Sequence, residues 1–254
     1  MTLAGRWLRR FEHRPRASVR LVCLPHAGGA AGFYRRLQSI MPPWVDFIVV
    51  QYPGREERIR EPCVRDIPTL AAQVARALIP RNELPLALFG HSMGAILAFE
   101  VARRLYSDHA IALEHLFVSG RCAPSIPEGG ELHRSSDIEL IRELKRLNGV
   151  SDEVLNHTKL LEFLLPIVRA DYQAIETYRY VPGDALKCPL TVCIGDRDPE
   201  TSREGAERWR DVGEGPFECC EFPGDHFYFA DDPTALVKQL AETLQKRRFM
   251  QLSS

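Results

Sequence analysis

Short apolar runs alternate with longer stretches of helical periodicity along most of the chain, which is the pattern of a mostly parallel sheet with helices on its faces. The candidate strands are 19–24, 47–50, 86–89, 115–118, 190–194 and 217–222. Between the second and third of them Leu70, Val74 and Leu78 recur at four-residue spacing and predict a helix over 69–78. Ile96, Phe99, Val101 and Leu105 mark a helix after the third strand, and Leu236, Leu240 and Leu244 give a last helix, from about 233 to 246, a single apolar stripe.

One stretch breaks the alternation. From about 123 to 187 no strand pattern occurs, yet the segment is far too long for a plain connection in a compact domain. Ser136 followed three residues later by Glu139 has the form of a capping box, Ile138, Ile141 and Leu144 make a stripe, and Gly149 is placed to stop that helix. A second helix, about 159–178, is apolar on nearly all sides between Leu160 and Val168 and carries Pro166 as an expected kink. The expected organisation is an α/β core of 1–122 and 188–254 with a helical lid inserted at 123–187. The competing reading is a subdomain that only packs on the core. The lid is favoured because an all-round apolar helix needs more than one surface to bury against.

Composition narrows the class. The chain has 254 residues, 33 Lys plus Arg against 34 Asp plus Glu, a formal charge of −1 and 45% hydrophobic residues, the profile of a one-domain globular protein with a sizeable core. Near-zero charge argues against a nucleic-acid binder, which needs basic residues to neutralise phosphates. Apolar runs such as 84–89 are strand-sized and far short of a membrane span. The arginine-rich N-terminus lacks the apolar stretch of a secretory signal and reads as an exposed arm before the first strand, with a transit peptide as the alternative. Seven scattered cysteines without a CxxC pair or a histidine at ligand spacing indicate a reducing cytoplasm and no metal site. The protein is expected to be a monomer.

Candidate chemistry centres on Gly90-His91-Ser92-Met93-Gly94. A bare GxSxG is a weak signal, but this one directly follows an apolar strand and precedes a helix pattern. On such a turn the serine backbone is strained, the flanking glycines remove side chains that would collide, and the hydroxyl is lifted to a helix N-terminus. A serine hydroxyl is a poor nucleophile unless a base takes its proton, so a histidine and an orienting carboxylate are required further along the chain. His226, in Pro223-Gly224-Asp225-His226-Phe227, follows the last strand. Gly195-Asp196-Arg197-Asp198-Pro199 follows the strand before it and offers the acid. Asp198 is the preferred acid because Asp196, beside the strand end, suits turn hydrogen bonds; Asp225, adjacent to the histidine, is a third candidate. His91 is expected to pack beside the elbow. The oxyanion of an acyl-transfer intermediate needs two N–H donors. Met93 supplies one, and the glycine loop Pro25-His26-Ala27-Gly28-Gly29-Ala30-Ala31-Gly32 offers the other at Ala27. That loop matches no phosphate-binding pattern. Arg55 and Arg58 could attract an acidic surface or a phosphate, but with Glu56 and Glu57 adjacent the favoured reading is a solvated mixed-charge loop.

Several segments together resemble the type II thioesterases, the stand-alone α/β-hydrolases that accompany modular polyketide synthases and nonribosomal peptide synthetases. They are Leu24-Pro25-His26-Ala27-Gly28-Gly29, Tyr52-Pro53-Gly54-Arg55, the serine elbow, 144–149 (Leu-Lys-Arg-Leu-Asn-Gly), Arg169-Ala170-Asp171-Tyr172 with Glu176 and Tyr178, and the two loops holding Asp198 and His226. The resemblance covers about 19–247. It implies Ser92 as nucleophile, His226 as base, Asp198 as acid, Ala27 and Met93 as oxyanion donors, and 123–187 as a lid over an acyl chamber. It implies removal of stalled or misprimed acyl groups from the phosphopantetheine arm of acyl or peptidyl carrier proteins, with no cofactor of the enzyme's own. Ala30 replaces a serine common in that loop, and Asp225 stands where many relatives have glycine. The rival readings are a general esterase, a chain-terminating thioesterase, which is usually fused behind a carrier domain, and a hydrolase-fold binding protein without turnover.

Overall fold

The computed structural model describes residues 3–79, 83–127, 129–150 and 152–252. Seven strands form one sheet: β1 (Leu8–Arg9), β2 (Val19–Leu24), β3 (Val45–Val50), β4 (Leu86–His91), β5 (His115–Ser119), β6 (Leu190–Gly195) and β7 (Phe217–Phe222). Their order is β1-β3-β2-β4-β5-β6-β7, with β1 antiparallel to β3 and every other pair parallel. Strands β2 to β6 are buried along their whole length because helices cover both faces. On one face α3 (Ile67–Leu78) and α4 (Met93–His109) bury Leu70, Val74, Leu97 and Val101. On the other, α2 (Arg35–Ile40) and α9 (Thr234–Leu252) bury Leu37, Leu236, Leu240 and Leu244. No helix among the described residues is long and apolar enough to cross a membrane.

The observed strands run past the apolar runs because polar residues continue the ladder when something neutralises them. β3 begins at Val45, two residues before the predicted 47, since buried Asp46 accepts from Arg10 at 2.6 Å and Arg20 at 2.8 Å. Likewise α3 starts two residues early, because Asp66 caps it through the Thr69 N–H at 2.8 Å.

The N-terminal segment is not an exposed arm. After α1 (Leu3–Trp7), β1 pairs with β3, placing Leu8 opposite Val50. Trp7 is buried beneath the Arg58 guanidinium, 4.2 Å from its ring centroid, and Arg14 donates to the carbonyls of Gln38, Met41, Pro42 and Val45. A short segment rich in arginine shows no apolar periodicity, yet cation–π and charge-assisted contacts fasten it.

Among the described residues, three α-helices occupy the strandless stretch, α5 (Asp137–Arg146), α6 (Asp152–Leu155) and α7 (Thr158–Glu176), preceded by a 3-10 turn at Leu132–Arg134. The capping box is present, with Ser136 and Glu139 satisfying each other's backbone N–H. The predicted stripe is displaced: Leu140 and Leu144 are buried while Ile138 is 63% exposed. Asn148 adopts the left-handed backbone (φ 54°) after the helix, and Gly149 donates to the Leu144 carbonyl. Gly149 also lies close under the Phe227 ring, which a Cβ there would approach to 3.0 Å. The all-round burial expected of α7 is also absent, because Leu160 and Phe163 are exposed. Its inner face joins Leu165 and Val168 to Leu140 and Leu144 in a small apolar cluster separate from the two cores.

Candidate active site

The elbow between β4 and α4 is built by close approach. A Cβ on Gly90 would stand 2.0 Å from the Gly94 carbonyl oxygen, and one on Gly94 would stand 2.0 Å from the Leu24 carbonyl oxygen, so neither position accepts a side chain. Ser92 carries the resulting strain at φ 55°, ψ −118°, outside the regions an L-residue favours. Its N–H donates to the Ser119 carbonyl at 2.8 Å, which fastens the turn to β5. Its side chain makes no cap hydrogen bond to α4, leaving the hydroxyl uncommitted to the helix it precedes.

The loops after β6 and β7 converge on this turn. Asp198, whose side chain is fully buried, meets His226 with both carboxylate oxygens 3.0 Å from Nδ1. A carboxylate only accepts, so Nδ1 carries the proton and Nε2 is left as the basic nitrogen. Asp198 Oδ1 is steadied by the Glu200 N–H at 2.8 Å. Asp196 is exposed and accepts from the Gly224 N–H at 2.8 Å, the turn-bonding role expected of it. Asp225 faces away from the imidazole: it accepts from the Phe227 N–H at 3.0 Å and from Asn148 Nδ2 at 2.7 Å, tying the end of α5 to the histidine loop. Of the three carboxylates only Asp198 orients His226.

Ser92 and His226 line one cavity with His26, Ala27 and Gly28, and its far wall is Leu144, Leu147, Leu164, Val168 and Tyr172 from the helical stretch. Its volume is only ≈ 40 Å³. Met93 is the first residue of α4, so its N–H has no acceptor within the helix and faces the turn. In the glycine loop the Gly28 N–H is taken by Asp171 at 2.8 Å, the Ala31 N–H by Gln51 Oε1 at 2.9 Å and the Gly32 N–H by Glu56 Oε1 at 2.9 Å. The Ala27 N–H has no hydrogen bond among the described residues. Arg55 and Arg58 are not the solvated charges of the sequence reading; both are buried. Arg58 donates to the Gln51 carbonyl and pairs with Glu61, while Arg55 pairs with Asp171 at 2.7 Å. The Asp171 partnership, 116 residues away in sequence, had no local signal beyond its place in the Arg169-Ala170-Asp171-Tyr172 motif.

Two further histidines lie near His226. His26 shares a hydrogen bond of 2.8 Å between Nδ1 and the Tyr34 hydroxyl, and burial, with the charges of His226 and Arg55, pushes its pKa down to about 3. His91, 4.9 Å from His226 between ring centroids, bonds Ser119 Oγ at 3.0 Å and is held well below the ordinary range by burial and by its histidine neighbours. Burial likewise drives His115 on β5 to about 3. All three stay neutral in the fold while the unfolded chain takes up protons below its ordinary value of about 6.5. Their contribution to stability is therefore complete above that pH and is lost as pH falls from 6.5 towards 3. Melting curves should show Tm nearly level from pH 8 to 7 and declining from 6.5 to 5; a level Tm down to pH 5 would contradict the buried neutral assignment.

A family model described as a thioesterase domain matches residues 19–246. The chain is 44% identical over 245 residues to the probable cadicidin biosynthesis thioesterase of Streptomyces griseus, covering 96% of this chain and 68% of that protein. It is 41% identical to the thioesterase PikA5 of Streptomyces venezuelae, over 95% of this chain and 86% of that one. Among solved structures, the type II thioesterase BorB from the borrelidin biosynthetic cluster superimposes with a TM-score of 0.87 at 44% identity, over 94% of this chain and 97% of BorB. A serine elbow, a buried Asp–His pair and this extent of similarity agree: the chain belongs to the thioesterase family, as an α/β-hydrolase similar to its type II members.

Proposed function

We propose that the protein hydrolyses acyl thioesters on the phosphopantetheine arm of acyl or peptidyl carrier proteins, with Ser92, His226 and Asp198 as its catalytic residues. The observation that supports this reading is the buried Asp198–His226 pair, whose histidine lines one cavity with the strained Ser92. His226 Nε2 takes the Ser92 proton as Oγ attacks the thioester carbonyl, and Asp198 stabilises the imidazolium that forms. The oxyanion of the tetrahedral intermediate is held by the Ala27 and Met93 N–H groups. As the C–S bond breaks, His226 returns its proton to the sulfur, releasing the carrier thiol and leaving an ester on Ser92. Water then gives a proton to His226 and attacks that ester; collapse returns the proton to Ser92 Oγ and releases the acid.

The 123–187 segment acts as a lid in this reading. An acyl chain needs a chamber of several hundred Å³, roughly 300–1,000 for small-molecule sites, against the ≈ 40 Å³ present. The wall of Leu144, Leu147, Leu164 and Val168 must therefore move to admit substrate, and being apolar it suits an acyl chain. The enzyme works as a monomer and releases groups that stall a synthase. A hydrolysis panel tests the substrate class: one acyl group presented as a carrier-protein thioester, a free pantetheine thioester and a simple oxygen ester. Turnover should be fastest on the carrier thioester; a preference for the oxygen ester would point to a general esterase instead.

A further inference from the structure

The motif around Arg55 and the motif around Asp171 have no part in bond making, yet they meet on the oxyanion loop. Asp171 projects from α7 and is fully buried, and its carboxylate engages Arg55 through two bonds of 2.7 and 2.9 Å. The same Asp171 Oδ2 accepts from the Gly28 N–H at 2.8 Å, while Arg55 Nη1 also donates to the Gly29 carbonyl at 3.0 Å. The ion pair thus grips both the N–H of Gly28 and the C=O of Gly29. One turn earlier on α7, Val168 presses on the same place: a Cβ on Gly28 would lie 2.8 Å from Val168 Cγ2, and Gly28 takes φ +77°. Tyr52 supports the loop from below, with its hydroxyl on the Pro25 carbonyl at 3.1 Å and its ring 5.1 Å from the Arg55 guanidinium. Burial works against the Arg55 charge, but the Asp171 carboxylate outweighs it and holds the guanidinium protonated.

We propose that Arg55 and Asp171 are positioning residues for the oxyanion hole: their ion pair fixes the Gly28–Gly29 turn against α7 and thereby aims the Ala27 N–H at the reacting carbonyl. The idea rests on the reading of Ser92 as nucleophile. By engaging the Gly28 N–H, Asp171 also removes that amide as a rival donor to Ala27. The arrangement makes the oxyanion hole depend on a helix of the lid segment rather than on the sheet alone. An α7 displaced at its Asp171 turn would leave Ser92, His226 and the Met93 N–H in place but take the Ala27 donor out of line.

The test uses the full-length enzyme and the double variant Arg55→Met/Asp171→Leu. Removing both charges together leaves no stranded ion in the interior, so the fold is expected to survive, with Tm lowered by the loss of the bonds to the Gly28 N–H and the Gly29 carbonyl. Steady-state kinetics on an acyl-pantetheine thioester should show kcat lowered by about 100-fold with KM within about threefold, because only the transition state uses the oxyanion donor. Affinity for an acyl trifluoromethyl ketone, which forms a tetrahedral adduct on the serine, should fall by a similar factor, while the pH profile keeps its shape because His226 is untouched. Arg55→Lys keeps the charge pair but not the forked geometry, and should lose about 10-fold in kcat. A folded double variant, or Arg55→Lys should the double variant fail to fold, with wild-type kcat and ketone affinity would overturn the positioning role. Activity retained by Ser92→Ala would instead overturn the nucleophile reading, and this inference with it.

Discussion

Replacing Ser92 with alanine should lower kcat for thioester hydrolysis by roughly a millionfold while leaving the fold intact. Alanine suits the site because the strain at φ 55° falls on any residue with a Cβ, so Ser92→Ala adds none, and the side chain it removes makes no cap hydrogen bond. What it removes is the only atom on the elbow that can form the acyl ester. The oxyanion donors and the cavity remain, so a small rate above the uncatalysed one should persist, with substrate still bound. The measurement is turnover of an acyl-pantetheine thioester together with a melting curve; a folded variant within tenfold of wild type would remove Ser92 from the reaction.

Asp198→Asn is expected to cost about 10⁴ in kcat, against a change of only a few-fold for Asp196→Asn. Asparagine at 198 is nearly the same size, but its amide nitrogen donates to the ring and stabilises the tautomer in which Nδ1 is bare and Nε2 carries the proton. Nε2 can then no longer take the serine proton. At 196 the carboxylate does nothing beyond accepting from the Gly224 N–H and pairing with exposed Arg197, and an asparagine oxygen can make the same turn bond. Loss of activity in the reverse order, greater at 196 than at 198, would assign the acid to the wrong loop position.

Where sequence reading succeeded, the responsible physics was local. The six main strands lie where the apolar runs occur; β2 to β6 are buried along their whole length, while β7 is only half-buried. The serine elbow is legible because its glycines are demanded by backbone contacts within a few residues and by a neighbouring strand. Asp198, further from its strand end than Asp196, is the carboxylate that meets His226, while Asp196 bonds the Gly224 N–H in the turn. Where it failed, the cause was pairing over long sequence separation. Asp46 and Arg20 sit inside strands as charges that cancel only in three dimensions, and β1 is held by residues near 50 and 58. Arg55 and Arg58 look like surface charges beside Glu56 and Glu57, but Asp171 and the loop carbonyls draw them inside. On α5 the apolar positions allow two stripes, and only contact with α7 selects Leu140 and Leu144 over Ile138.

The helical stretch joins fold and chemistry. It contributes seven residues to the cavity wall, clamps the glycine loop through Asp171, and touches the loops after β6 and β7 through Arg146 with Glu200 and Asn148 with Asp225. The charged and polar members of that set are spread over α5, its C-terminal turn and α7.

A covalent ester at Ser92 is the species that most directly distinguishes the acyl-serine route. Wild-type enzyme mixed with an equimolar acyl-carrier protein, quenched in acid within the first turnover and read by intact mass and peptide mapping, should gain one acyl mass on the peptide containing Ser92 as the carrier loses it. That adduct should decay to free acid and be missing in Ser92→Ala. Loss of acyl group from the carrier with no adduct on the enzyme at any time, or with the adduct on another residue, would contradict the acyl-serine route.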